Sequence, residues 1–299
     1  GGGTFSGLRT YISANSLNTG TSTLKFRKNA ANGNLSVSIS SGVTGWFEDI
    51  SNTDTVAQND QVNLQMITSG ASGTITFSRS VIEFDSTFEF FRSSGVSSLG
   101  SAATSYVGVN DPGSAQPAES NKQAKFRTAG TLQKSAVYVS TNTLDGSTVF
   151  NTRKNTAAGN LSMSISASST GEFEDTSNSD SIAAGDLVAW EVARGGSSGQ
   201  ITAQRIACEF VPNSSGEAQF CSLPGNGISQ GTSKRFYSIN SAITAITVEA
   251  DANTKPVTAF TADKLGVYLS ANASGSSSTV NLRQNGSNSA LTISVSAGS

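Results

Sequence analysis

The chain alternates apolar and polar residues at a period of two along most of its length. Leu161-Ser-Met163-Ser-Ile165-Ser is the clearest run, and Leu35-Ser-Val37-Ser-Ile39-Ser repeats it. Period two places one set of side chains on each face of a strand. Leu35, Ile39, Leu161, Ile165, Phe47 and Phe173 are therefore expected to face a core, with their Ser neighbours facing water. Helical spacing is absent. Between residues 85 and 210 the pattern predicts strands at 87–91, 104–109, 121–128, 135–141, 148–154, 161–166, 171–175, 181–193 and 200–210. Gly, Ser and Asn turns separate them. About nine short strands in about 125 residues predict an all-β, antiparallel sandwich of jelly-roll type.

The pattern also recurs. LRTYISAN (8–15), SAVYVSTN (135–142) and LGVYLSAN (265–272) align on Tyr11, Tyr138 and Tyr268, spaced 127 and 130 residues apart. KFRKN, NTRKN and NLRQN align on Arg27, Arg153 and Arg283. GSAATSYVGVN (100–110) matches GTSKRFYSIN (231–240) more faintly, and Glu119 matches Glu249. Tandem repeats of about 125–130 residues follow: a partial repeat over 1–84 with the later strands, a complete one over 85–210, and a partial one over 211–299 with the early strands. Two explanations stand for the ragged ends. The favoured one makes the chain a fragment of a longer array; in the other, neighbouring subunits complete the partial units.

Composition narrows the function classes. Charged residues make up 13 % of 299, and the net charge is −2. No run of Lys or Arg forms the footprint that nucleic acid requires. No apolar stretch approaches the roughly 20 residues needed to span a bilayer. Histidine is absent, which removes Ser-His-Asp and Cys-His catalysis and nearly all catalytic zinc sites. Cys208 and Cys221 flank a turn signal at Asn213–Gly216. They read either as a cross-strand disulfide or as two small buried hydrophobes.

In a chain so poor in charge, one acidic stretch is written twice: TGWFEDISNTD (44–54) and TGEFEDTSNSD (170–180). From Gly33 to Asp54 and from Gly159 to Asp180, 15 of 22 positions are identical. With the Phe facing inward, Glu48 and Glu174 face out. Asp49 and Asp175 are expected at a strand end, accepting backbone N–H bonds in a turn, with Arg27 and Arg153 as ion-pair partners. The competing reading is calcium, ligated by Asp49, Asn52 and Asp54 and again by Asp175, Asn178 and Asp180. The loop lacks the Gly pivot and the bidentate Glu of an EF-hand. A glycosidase carboxylate pair has no sugar platform beside it. Asp186, in AGDLV, is expected to hold a second tight turn. No cofactor and no catalytic residue is expected.

Ala129-Gly130-Thr131-Leu132, Arg153-Lys154-Asn155, Thr170-Gly171 with Phe173 and Asp175, and Ala184-Gly185-Asp186 together form an ordered pattern. It resembles β-sandwich repeats of bacteriophage virion structural proteins, of tail-fibre and capsid-decoration type. More distantly, the order is similar to the jelly roll of complement-type globular heads. That resemblance speaks to the fold; tandem copies, the absence of histidine, few charges and Ser/Thr-rich faces that can pair edge to edge lead to the expectation of a non-enzymatic, self-associating structural subunit of an extracellular fibre or virion surface. An adhesin or carbohydrate-binding fibre module is the alternative, with Trp46 and Tyr237 as exposed aromatics for a surface glycan.

Overall fold

The dipeptides Asn29-Ala30, Asn155-Thr156 and Asn285-Gly286 each take positive φ at both residues (49° and 64°, 50° and 69°, 50° and 79°). That is the two-residue hairpin turn whose twist matches the strands it joins, and Asn tolerates its left-handed first position. Each turn therefore folds its KFRKN-type strand back on the alternating strand that follows. In the computed structural model, which describes residues 2–58, 60–86, 89–100, 103–109, 114–214, 249, 260–267, 269 and 271–298, the same hairpin occurs three times.

Around the first hairpin lie β1 (Gly3–Asn15), β2 (Thr21–Lys28), β3 (Ala31–Ser40), β4 (Gly45–Val56), β5 (Val62–Ile67) and β6 (Ile75–Asp85). They form two three-stranded antiparallel sheets, ordered β4-β1-β6 and β3-β2-β5. Leu8, Ile12, Leu24, Phe26, Leu35, Val37, Ile39 and Val56 fill the space between, with the Phe5 ring tilted against those of Phe26 and Phe84 at 4.9 and 4.5 Å. This unit is separate from a second.

The second unit contains β7 (Glu89–Gly100), β8 (Thr104–Gly108), β9 (Ala124–Lys125), β10 (Gly130–Asn142), β11 (Thr148–Lys154), β12 (Ala157–Ile165), β13 (Gly171–Ile182), β14 (Leu187–Arg194) and β15 (Gln200–Pro212). The sheets run β13-β10-β15-β7 and β12-β11-β14-β8, with β9 also on β14. Apart from the β11–β12 hairpin, consecutive long strands thus cross between sheets, in the double Greek-key order of a jelly roll. Trp190, Phe126, Phe150 and Phe210 are at most 1 % exposed at its centre, and Phe91, Phe126 and Phe210 lie 5.1–5.8 Å apart, ring to ring. The third hairpin, β16 (Ser278–Gln284) with β17 (Ser287–Val295), forms a two-stranded sheet of its own.

The all-β sandwich expected from the alternation is present, and Leu35, Ile39, Leu161 and Ile165 are fully buried. Several strand limits differ from the expectation: the strands expected at 87–91, 135–141 and 161–166 are longer, at Glu89–Gly100, Gly130–Asn142 and Ala157–Ile165, and three others are recast. The stretch 121–128 pairs only at Ala124–Lys125, because Glu119–Asn121 makes a 3-10 turn and Phe126 turns into the core. The stretch 181–193 is cut in two at Gly185, whose φ of +101° reverses the chain. The acidic stretch does not end at Asp175 but runs on to Ile182, past a bulge between Asp175 and Ser179.

Candidate functional site: the twin acidic corners

β4 and β13 each lie across the edge of the neighbouring sheet, facing the strand that follows the hairpin turn. At the bulge, three residues of β4 or β13 oppose a single residue of β1 or β10. The single residues are Gly7 (φ 58°) and Lys134 (φ 49°). The extra chain curls around the carboxylate that begins it. Asp175 accepts from the Ser177 N–H at 3.2 Å, the Asn178 N–H at 3.1 Å, the Ser177 hydroxyl at 3.3 Å and the Asn178 side-chain amide at 2.9 Å. Its second oxygen also takes the Ser162 N–H of β12 at 2.9 Å. Asp49 makes the same set with Ser51, Asn52 and Ser36.

The second aspartate works one step along. Asp54 accepts from the Asn34 and Leu35 N–H groups at 2.8 and 2.9 Å; Asp180 accepts from those of Asn160 and Leu161 at 2.7 and 3.3 Å, and from the Thr152 hydroxyl. Three consecutive amides in the middle of β3 or β12 are thereby satisfied by two side chains of the other sheet. These aspartates are 3–7 % exposed. A buried charge is tolerated when its lone pairs are hydrogen-bonded. Gly33 and Gly159 make the approach possible. A Cβ at Gly33 would stand 2.5 Å from an Asp54 oxygen, and one at Gly159 would stand 2.7 Å from an Asp180 oxygen.

Burial alone would push the Asp175 carboxyl up. The N–H bonds from Ser162, Asn178 and Ser177 outweigh it and bring the pKa down to about 2. Asp49 is lowered by the same balance.

The arginines go elsewhere. Arg27, Arg153 and Arg283 each donate to the carbonyl of the second turn residue in their own hairpin, Ala30, Thr156 and Gly286. Arg153 also pairs with Glu119 at 3.2 Å and Glu191 at 3.5 Å. The expected pairing of arginine with the corner aspartates is replaced by a turn clamp, because the N–H donors already fill the aspartate oxygens. Asp186 closes the neighbouring turn. It accepts from the Ala183 N–H at 2.8 Å and from the Asn155 side chain at 2.7 Å, while Asn155 accepts the Leu187 N–H. Asp60 repeats this with Ala57, Asn29 and Gln61. Bonds to Ala183 and Asn155 lower the Asp186 pKa.

Phe47 and Phe173 are half-buried and pack against the two cores. Glu48 and Glu174 are exposed. Cys208 is buried as a free thiol, its pKa pushed up by burial; Cys221 and Tyr237 lie outside the described residues. Among the described residues no three Cys, Asp or Glu side chains gather as a metal site would require, and no helix is long and apolar enough to cross a membrane.

The residues that sequence reasoning missed are Gly33, Gly159 and Thr152. Their signal was internal: Gly-Asn-Leu recurs with an Asp 21 residues after the Gly in both copies. No protein-family model, curated protein or solved structure matches the chain.

Proposed function

We propose that the chain is a non-enzymatic structural subunit of an extracellular fibre or virion surface, of the kind found in bacteriophage, built by stacking β-sandwich repeats. The observation that best supports this reading is the fate of the recurrent acids. An acid, base or metal ligand needs a lone pair facing a substrate or ion. Asp49, Asp54, Asp175 and Asp180 instead spend theirs on backbone amides of the opposite sheet, identically in two copies. Such bonds fasten a fold.

Imaging and sedimentation of the purified chain test the reading. Concentration-dependent assembly into filaments or plates with a spacing of one sandwich is expected. A chain that stays strictly monomeric at high concentration contradicts it.

A glycan-binding role has one local feature in its favour. Tyr11 and Trp46 form a ring pair at 5.4 Å on the first unit, whereas the second unit has Tyr138 under Arg205, itself 3.4 Å from Glu172. Binding on a glycan array that disappears in Trp46→Ala would move the assignment there.

A further inference from the structure

The two units surround one shared glutamate differently. Glu209 of β15 stands opposite Gln133 of β10, and Glu83 of β6 stands opposite Ser6 of β1. In the second unit the Glu209 carboxylate takes the Lys134 ammonium at 2.9 Å and the Gln133 amide at 3.3 Å. In the first unit Gly7 stands where Lys134 stands, and Ser6 where Gln133 stands. Both side chains that close over Glu209 are thus shortened. Among the described residues Glu83 keeps only the Ser6 hydroxyl, which donates to it at 3.5 Å.

A second carboxylate is added at the same place. Asp85 stands where the second unit has Val211, two residues from Glu83 and on the same face of β6. Arg9, at the place of Ala136, turns the other way: it pairs with Glu48 of β4 at 3.3 Å, on the opposite side of β1. The result is a cleft of about 450 Å³, lined by Ser6, Glu83, Phe84 and Asp85. Small-molecule sites span roughly 300–1,000 Å³.

We propose that this cleft binds the primary ammonium group of an alkyl amine, with Glu83 taking it as Glu209 takes Lys134. The repeat itself points to the ligand: the same glutamate, at the same place in the sheet, holds that group in the other unit. The cleft has gained an acid and lost a base. Among the described residues no lysine or arginine lies within ion-pair distance of Glu83 or Asp85, so an incoming cation is its complement. The ammonium N–H groups donate to the Glu83 carboxylate, and Asp85 adds charge. A quaternary ammonium has no N–H and forfeits those bonds. A partner's lysine side chain and a free amine present the same head, and the cleft reads that shared group. The site stands whether or not the chain assembles.

The test titrates n-butylammonium, the lysine side chain without its backbone, into the full chain at constant ionic strength. The carboxyl-carbon NMR signals of Glu83 and Asp85 should move along a saturable curve with a midpoint on the order of 10 mM, while Glu209 stays still. Tetramethylammonium should leave Glu83 unmoved. Glu83→Gln should weaken binding by about tenfold, read at Asp85. Gly7→Lys should abolish it, because Lys134 shows that a lysine fits this position at φ 49° and its ammonium then fills the site. A peptide with one lysine between glycines separates the sources. Saturation at the butylammonium midpoint assigns a partner's lysine, and exclusion of the peptide assigns a free amine. A response that does not saturate, or that tetramethylammonium matches, means that the carboxylates are merely screened and overturns the proposal. Binding undiminished in either variant places the amine elsewhere and overturns it too.

Discussion

Asp175→Ala leaves five donor groups without their acceptor: the N–H groups of Ser162, Ser177 and Asn178, the Ser177 hydroxyl and the Asn178 amide. The carboxyl is drawn from its ordinary 3.8 to about 2. At about 1.4 kcal/mol for each tenfold in proton affinity, that is roughly 2 kcal/mol of folding stability at neutral pH. Leaving the part-buried Ser162 N–H without its acceptor adds up to about 1 kcal/mol, so a loss of about 2–3 kcal/mol is expected at pH 7. The sign of the pH dependence follows from the lowered pKa. The stabilisation is whole above 3.8 and fades as the pH falls through about 2. Urea titrations followed by the fluorescence of Trp190, which is 1 % exposed, read the second unit; a Trp46→Phe background silences the first. The gap between parent and variant should narrow by about 2 kcal/mol between pH 6 and pH 2. A variant within about 0.5 kcal/mol of its parent at pH 7, or a gap that stays constant over this range, refutes the reasoning.

Gly159→Ala should lower the melting temperature sharply, because the new Cβ meets Thr152 Oγ1 at 2.3 Å and displaces the Asp180 carboxylate; a cost of about 2 kcal/mol or more is expected. Gly171→Ala, at φ +111° with open space around it, should cost only about 1 kcal/mol of backbone strain. Cys208 is 1 % exposed with its thiol pKa raised by burial, so a thiol reagent should label it only after urea unfolding. Labelling in the native state counts against its place in the core. Excess calcium and excess chelator should give the same melting curve, since the corner oxygens already accept N–H bonds; an upward shift with calcium revives the ion-site reading.

The sandwich was legible because alternation is a local property: each Leu or Ile of LSVSIS and LSMSIS declares its face without help from the rest of the chain. The hairpin turns were less so. RKN is visible as a repeated motif, but its spacing does not show that the Arg153 fork fits the turn carbonyl three residues on, together with Glu119 of the 3-10 turn and Glu191 of β14. The corner was half legible. That Asp175 would gather backbone N–H bonds followed from Asp before Ser-Asn. That the strand would continue through those residues did not, because a bulge depends on Lys134 in the partner strand adopting positive φ. Asp180 was legible least of all. Its partners sit 19 and 20 residues earlier in another sheet, and only the glycine that makes room for it hints at the contact.

The claim underlying the whole account is that the repeated acids fasten one sheet to the other. Carboxyl-detected NMR titration of Asp49 and Asp175 in the native chain, with and without calcium, measures this most directly. The account predicts a midpoint near 2 for Asp175 and one below 3.8 for Asp49, neither moved by calcium. Midpoints within or above the ordinary carboxylate range, or a calcium-dependent shift at both corners, would contradict it.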